Sequence, residues 1–318
     1  MNRRAWLTLA GAGVLGRGWP RGLPAAAGSL DGERRVERWS WVMGQAARIV
    51  VFTVDEAAGF EATARAFAEL RRIEAALSLF DARSDLVALN ERAGRRPVRV
   101  GADLRAVLVQ AQAMKRATGG AFDPAVEPLM RAWGFHSRRT VAPSAAELSE
   151  AVDAVAVTRV EVGEGTVRLP VSHTRLDLGG IGVGYGLDRA AAVLQRVGIR
   201  RALIDISGDL LALDAPPGER GWPVDIVQPS GGGVLRTIVL RRAALATSAN
   251  TESFVRYGAL VTGHVLNPAT GRGAIGMRQA TIVAKSGVDA DALSTGMLVS
   301  GRRPCGVLDA VSVAGGDP

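Results

Sequence analysis

The run Asp289-Ala290-Asp291-Ala292-Leu293-Ser294-Thr295 concentrates oxygen donors at helical spacing in this 318-residue sequence. Positions four apart share a helix face, so Asp291 and Thr295 present a carboxylate and a hydroxyl to the same point, with Ser294 beside them. Hard oxygen donors of this kind suit magnesium, which keeps a few protein ligands and takes the remainder from phosphate and water. The same residues also fit a plain helix start, in which acids cap the first turn and complement the helix dipole. A second segment, Gly179-Gly180-Ile181-Gly182-Val183-Gly184, precedes a helical pattern and could let backbone amides approach a phosphate. It matches neither the dinucleotide fingerprint nor a P-loop, because the Gly-Lys-Ser/Thr ending is missing. Close packing of helix against sheet is the simpler account of those glycines.

Three histidines can be weighed one by one. His264 stands in Thr262-Gly263-His264-Val265-Leu266-Asn267-Pro268, at the end of a strand entering a turn, where an imidazole can reach a cleft and move protons near neutral pH. His136 and His173 lie in polar loop sequence, which suggests solvated surface positions. Nucleophilic Ser or Cys catalysis finds no support. There is no Gly-x-Ser-x-Gly elbow, and the lone cysteine, Cys305, follows Arg303-Pro304 without histidine context. With one cysteine there is also no intrachain disulfide framework and no cysteine-based metal site, so any metal must use oxygen or imidazole.

The elements that would position these groups follow from periodicity and punctuation. Loose alternation from Trp41 to Thr53 predicts a strand, and apolar residues at helical spacing (Phe60, Ala64, Phe67, Leu70, Ile73, Leu77) predict a helix from Glu56 to Leu79. A second helix is expected over Ala102 to Ala117, stopping at Gly119-Gly120, and Ser144-Ala145-Ala146-Glu147 reads as a capping box opening a third. Strands at 160–162 and 167–169 around Gly163-Glu164-Gly165 form a hairpin pattern. The glycine-rich segment leads into a helix ended by Gly198. Further strands are expected at 201–206, 209–213, 222–227, 234–240, 259–266 and 279–285, and a last helix at Asp289 to Val299. Helices first and strands later argue for an α+β fold with mainly antiparallel sheet and flanking helices, not a doubly wound parallel sheet.

Hydrophobic residues make up 47% and charged residues 22%, which excludes wholesale disorder and fibrous repeats. The net charge of +8 does not mark a nucleic-acid binder. Only Lys115 and Lys285 are lysines; the remaining basic residues are arginines scattered in ones and twos, and clustering is what a phosphate backbone requires. Residues 1–27 read as an address label: Arg3-Arg4-Ala5-Trp6-Leu7, a short weakly apolar run, then Pro24-Ala25-Ala26-Ala27 as a small-residue cleavage site. The arginine pair resembles a twin-arginine signal, so a folded periplasmic domain over 28–318 is expected, without a lipid anchor because no cysteine follows the cleavage site.

Taken in order, the segments Met43-Gly44, Ser78-Leu79-Phe80 with Ser84 to Asn90, Gly120-Ala121-Phe122-Asp123-Pro124 leading to Trp133-Gly134-Phe135, Asp177-Leu178-Gly179-Gly180-Ile181, Ile206-Ser207-Gly208-Asp209, Ala246-Thr247-Ser248, His264 to Gly271 and Ala290-Asp291 to Thr295 resemble the ApbE family. These are the FAD:protein FMN transferases, and the resemblance covers essentially the whole chain after residue 27. It implies an ApbE-like fold with the active-site cleft between a sheet lobe and a helical lobe. It implies a magnesium site from Asp291, Thr295 and Ser294 with the backbone carbonyl of Gly180. Flavin-nucleotide contacts fall on Met43, Phe80 (where the family usually has Tyr), Ala121, Phe122, Asp123, Asp177 and Val265, and Asp291 and His264 become the catalytic residues. Val183 stands where a lysine is usual, Ser207 where a glycine is usual, and Ala249 follows Thr247-Ser248 in place of glycine. Loss of the lysine removes a cation that could pair with the FAD pyrophosphate, which implies lower affinity or turnover. The implied reaction is Mg2+-dependent transfer of FMN from FAD to a Thr or Ser hydroxyl of an acceptor flavoprotein, with release of AMP. The implied acceptors belong to membrane electron-transfer complexes or are respiratory regulators. Two other readings remain open on the same residues: hydrolysis of FAD to FMN and AMP, and a non-catalytic FAD-binding maturation factor.

Overall fold

A computed structural model describes residues 32–137, 139–229, 232–251 and 253–315; the leader expected at residues 1–27 lies outside them. The chain opens with β1 (Arg34–Val42) and β2 (Gln45–Thr53), a hairpin where periodicity suggested one strand from Trp41 to Thr53. Met43 and Gly44 form its two-residue turn with φ of 53° and 71°, the left-handed pair that matches strand twist. A methionine at the first turn position gives no turn signal, which is why the break was invisible.

The helical lobe follows. Asp55 caps α1 (Glu56–Leu77) by accepting from the amides of Ala57 and Ala58, and Ser84 caps α2 (Asp85–Glu91). Next come β3 (Val98–Arg99), α3 (Ala102–Ala117), α4 (Glu127–Trp133) and α5 (Ala145–Val157), the last opened by the Ser144/Glu147 capping box. The hairpin β4 (Glu161–Val162) and β5 (Thr166–Arg168) closes this lobe against β3. Its core joins Ile73, Leu86, Leu104, Leu108, Leu129, Trp133 and Leu176, each contributing about 1.5–3 kcal/mol by leaving water.

The remaining elements are α6 (Gly182–Arg196), β6 (Arg201–Ile206), β7 (Asp209–Ala212), β8 (Trp222–Val227), β9 (Val234–Leu240), β10 (Ala243–Ala249), β11 (Phe254–Tyr257), β12 (Leu260–Gly263), β13 (Gly276–Ala284), α7 (Gly287–Ser300) and β14 (Asp309–Gly315). Seven strands form one sheet in the order β1-β2-β6-β7-β10-β13-β14, and every neighbouring pair is antiparallel. One face is covered by α1, α6 and α7, which bury Phe67, Leu70, Leu194 and Leu298 against Ile49, Ile204 and Ile282. The β8/β9 hairpin covers the other face, where Trp222 packs with Val50, Leu203 and Leu245. This is the expected α+β architecture. β10, sequence Ala-Ala-Leu-Ala-Thr-Ser-Ala, carries none of the bulky β-branched pattern that marks a strand, yet it lies inside the sheet between β7 and β13. Its small side chains are what admit α7 to the sheet.

Candidate active site

The cleft corner nearest α7 is set by backbone contact. Ser286 caps α7 by accepting from the Asp289 amide, while the Asp188 carboxylate on α6 takes the Gly287 and Val288 amides at 2.6 and 3.1 Å. Asp291 therefore does not cap its own helix. Its Oδ2 accepts the Gly184 amide of α6 at 2.9 Å, and burial, with the Asp188 charge, pushes its carboxyl well above the ordinary carboxylate range. This crossing exists because Gly184 and Gly287 let the two helices touch; a β-carbon on Gly184 would fall inside the Gly287 carbonyl. The glycine run is thus partly a packing device, as its composition suggested. Gly180 lies against Thr295, since a β-carbon there would sit 3.2 Å from Thr295 Oγ1. Ser248 of β10 then joins the hydroxyls, with its Oγ 2.7 Å from Ser294 Oγ and 3.1 Å from Thr295 Oγ1.

His264 follows β12. Its Nδ1 lies 3.2 Å from the Ser253 carbonyl, so in the neutral ring Nδ1 donates and Nε2 carries the free lone pair. Burial lowers the imidazole pKa below its usual value, against the Ser253 contact and the Asp177 charge, and so favours that neutral form. Asn250, which sequence reasoning passed over, fixes the next residue: its Oδ1 accepts the Val265 amide at 3.0 Å and its Nδ2 donates to the Ala274 carbonyl at 2.9 Å.

The helical lobe supplies the other wall. After Gly119 and Gly120 end α3 at positive φ, Ala121-Phe122-Asp123 runs along the cleft. Asp123 is held by Lys115 Nζ at 2.6 Å and by the Ala125 amide. Asp177 donates its amide to the Pro124 carbonyl and accepts the Gly179 amide at Oδ1, both at 2.7 Å. His136 corrects the surface reading: its side chain is only 12% exposed and pairs with Asp177 and Glu127. His173 is exposed as expected.

These walls enclose a cavity of about 270 Å³ lined by Ala121, Phe122, Asp123, Asp177, Gly180, Val183, His264, Val265, Asp291 and Thr295, together with Gln45, Ser207, Asp209, Thr247 and Ser248. Three other nominated residues stand apart from that lining. Ser294 is buried behind it, bonded to Ser248 and to the Asp291 carbonyl. Met43 packs against α6, its sulfur 2.9 Å from where a β-carbon on Gly186 would stand. Phe80 is 76% exposed and meets the His136 ring edge-on, centroids 5.9 Å apart.

Among the described residues no cluster of three or more His, Cys, Asp or Glu could cage a metal. One carboxylate with hydroxyl and backbone oxygens is instead the donor set of a hard cation that keeps water and phosphate ligands, and the corner at Asp291, Thr295 and Gly180 fits magnesium on those grounds. Among the described lining residues there are four carboxylates, Asp123, Asp177, Asp209 and Asp291, and neither lysine nor arginine. An anionic ligand therefore needs positive charge from beyond that lining.

Known proteins share this arrangement of elements. The FAD:protein FMN transferase of Treponema pallidum (strain Nichols) is 31% identical over 304 residues, spanning 88% of this chain and 84% of that protein. A protein of the same name from Vibrio cholerae is 28% identical over 243 residues, 73% of this chain and 71% of the relative. The crystal structure of an ApbE protein from Thermotoga maritima superimposes with a TM-score of 0.80 at 26% identity, over 88% of this chain and 94% of that one. The ApbE family pattern matches residues 43–307, and this chain belongs to the ApbE family.

Proposed function

We propose that this protein is an FAD:protein FMN transferase that uses Mg2+ to move FMN from FAD onto a threonine or serine hydroxyl of an acceptor flavoprotein. The observation that carries the reading is one cavity shared by an oxygen-donor corner (Asp291, Thr295, Gly180) and a histidine held neutral (His264). When bound, Mg2+ supplies positive charge to the pyrophosphate in a cleft whose described lining offers neither lysine nor arginine. Asp291 and Thr295, with the Gly180 carbonyl, would hold it.

His264 Nε2 takes the proton of the acceptor hydroxyl, with the tautomer fixed by Ser253. The hydroxyl oxygen forms a bond to the FMN-side phosphorus, the bridging P–O bond breaks, and AMP leaves as a phosphate monoester. The product carries FMN through a phosphoester bond. Phe122, Asp123, Asp177 and Val265 line the space where the nucleotide would be oriented. The test incubates the protein with FAD, Mg2+ and a candidate acceptor domain and reads the acceptor mass. An FMN-sized increase with one AMP released per modification is expected. Free FMN and AMP without modification would replace the transferase reading with hydrolysis, and bound intact FAD would reduce it to a binding factor.

A further inference from the structure

His136 has no part in the transfer just described, yet it joins three segments at the cleft. Its Nε2 stands 3.3 Å from Asp177 Oδ2 and its Nδ1 3.9 Å from Glu127 Oε1. Asp177 uses its other oxygen to accept the Gly179 amide, so one carboxylate links the imidazole to the backbone turn that carries Gly180 to Thr295. The ring also receives Phe80 edge-on at an interplanar angle of 88°. A carboxylate 3.3 Å from Nε2 and a second within ion-pair distance of Nδ1 favour the doubly protonated, charged ring. Burial opposes the charge, but the Asp177 and Glu127 contacts outweigh it and push the imidazole up to about 9. Arg131, bonded to Glu127, completes the charged set on this side.

We propose that His136 is a positioning residue for FAD: by donating to Asp177 and bracing Phe80 it fixes the Asp177–Gly180 segment of the cleft wall. This rests on the flavin transferase reading. Without the Nε2 donor, Asp177 keeps the Gly179 amide but no cation while facing an anionic ligand in a cleft lined by three further aspartates, and the segment loses one of its anchors.

Two substitutions separate donation from packing. His136→Gln can still present an N–H near the Nε2 position, whereas His136→Phe keeps an aromatic ring and removes the donor. The readout is FAD affinity by fluorescence titration in the presence of MgCl2, alongside KM and kcat for transfer. We expect His136→Phe to raise the FAD Kd and KM about tenfold, with a smaller loss in kcat, and His136→Gln to stay within about threefold of wild type, since one charge-assisted hydrogen bond is worth about 1.5–3 kcal/mol. In an Asp177→Asn background, either change at His136 should add little further loss. Wild-type affinity in His136→Phe, equal weakening by both substitutions, or full additivity with Asp177→Asn would overturn the proposal while leaving the transferase reading intact. If His136→Phe does not fold by circular dichroism, His136→Leu, which also removes the donor, measured in the wild-type and Asp177→Asn backgrounds decides by the same additivity criterion. A wild-type protein that binds no FAD with Mg2+ would overturn both.

Discussion

The two walls of the cleft are held in place by different forces. On the α6/α7 wall, Asp291 and Thr295 are set by atoms in contact: Gly184 against Gly287, Gly180 against Thr295, and the Gly184 amide on Asp291. On the helical-lobe wall, Asp123 and Asp177 are set by ion pairs with Lys115 and His136. The first wall tolerates no added carbon where Gly184 meets Gly287, and its carboxylates, Asp188 and Asp291, bond backbone amides and not cations. The second depends on charge and leaves Phe80 exposed at its edge.

The largest expected effects break the contact wall or the proton transfer. Gly184→Ala should cost about 3 kcal/mol of stability, because the new methyl meets backbone that cannot swing aside. Gly182→Ala, two residues earlier in the same helix with open space around it, should be nearly neutral. Urea unfolding of the pair checks this, and equal stability would mean that the helices do not meet as described. His264→Ala should slow FMN transfer by about 10²–10⁴-fold at saturating FAD. The pH dependence has a definite sign: burial lowers the His264 pKa below 6.5, so the neutral base persists to lower pH than for a free histidine. The acid limb of kcat should therefore fall below 6.5 and be missing in His264→Ala; a limb above that value in the wild type would contradict the environment assigned to the ring.

The smallest effect concerns Val183, which lines the cavity at the position where the family resemblance implies a lysine. Two arginines could stand in for that lysine, but Arg189 pairs with Glu69 at 3.0 Å and approaches Asp103 at 3.9 Å, Arg256 lies over the Phe254 ring, and neither lines the cavity. Val183→Lys should accordingly tighten FAD binding by about tenfold, the value of one new charge-assisted contact. No gain in a fluorescence titration would show that the pyrophosphate lies elsewhere.

This contrast also sorts what the sequence made legible. Asp291 and Thr295 were readable because a helix converts a spacing of four into a shared face, and the structure leaves that face in the cavity. The capping box at Ser144 and the stop at Gly119-Gly120 were equally local signals. What escaped were partnerships across the fold. His136 sits 41 residues from Asp177, in a loop sequence that looks solvated, and nothing near it in the chain names its partner. Lys115 stands out in the sequence only as one of two lysines, and nothing near it in the chain points to Asp123, onto which α3 turns it. Asn250 and Ser248 depend on β10, a strand whose alanines hid it.

The central claim is that Asp291 anchors the metal which lets an acidic cleft accept FAD. Isothermal titration of FAD into wild type and Asp291→Asn, each with and without MgCl2, tests it most directly, because the amide keeps the side-chain shape while removing the anionic ligand. Wild-type affinity should rise at least about tenfold on adding Mg2+, and Asp291→Asn should show no such gain while unfolding as a native protein. An undiminished Mg2+ response in Asp291→Asn would contradict the account and move the metal away from α7.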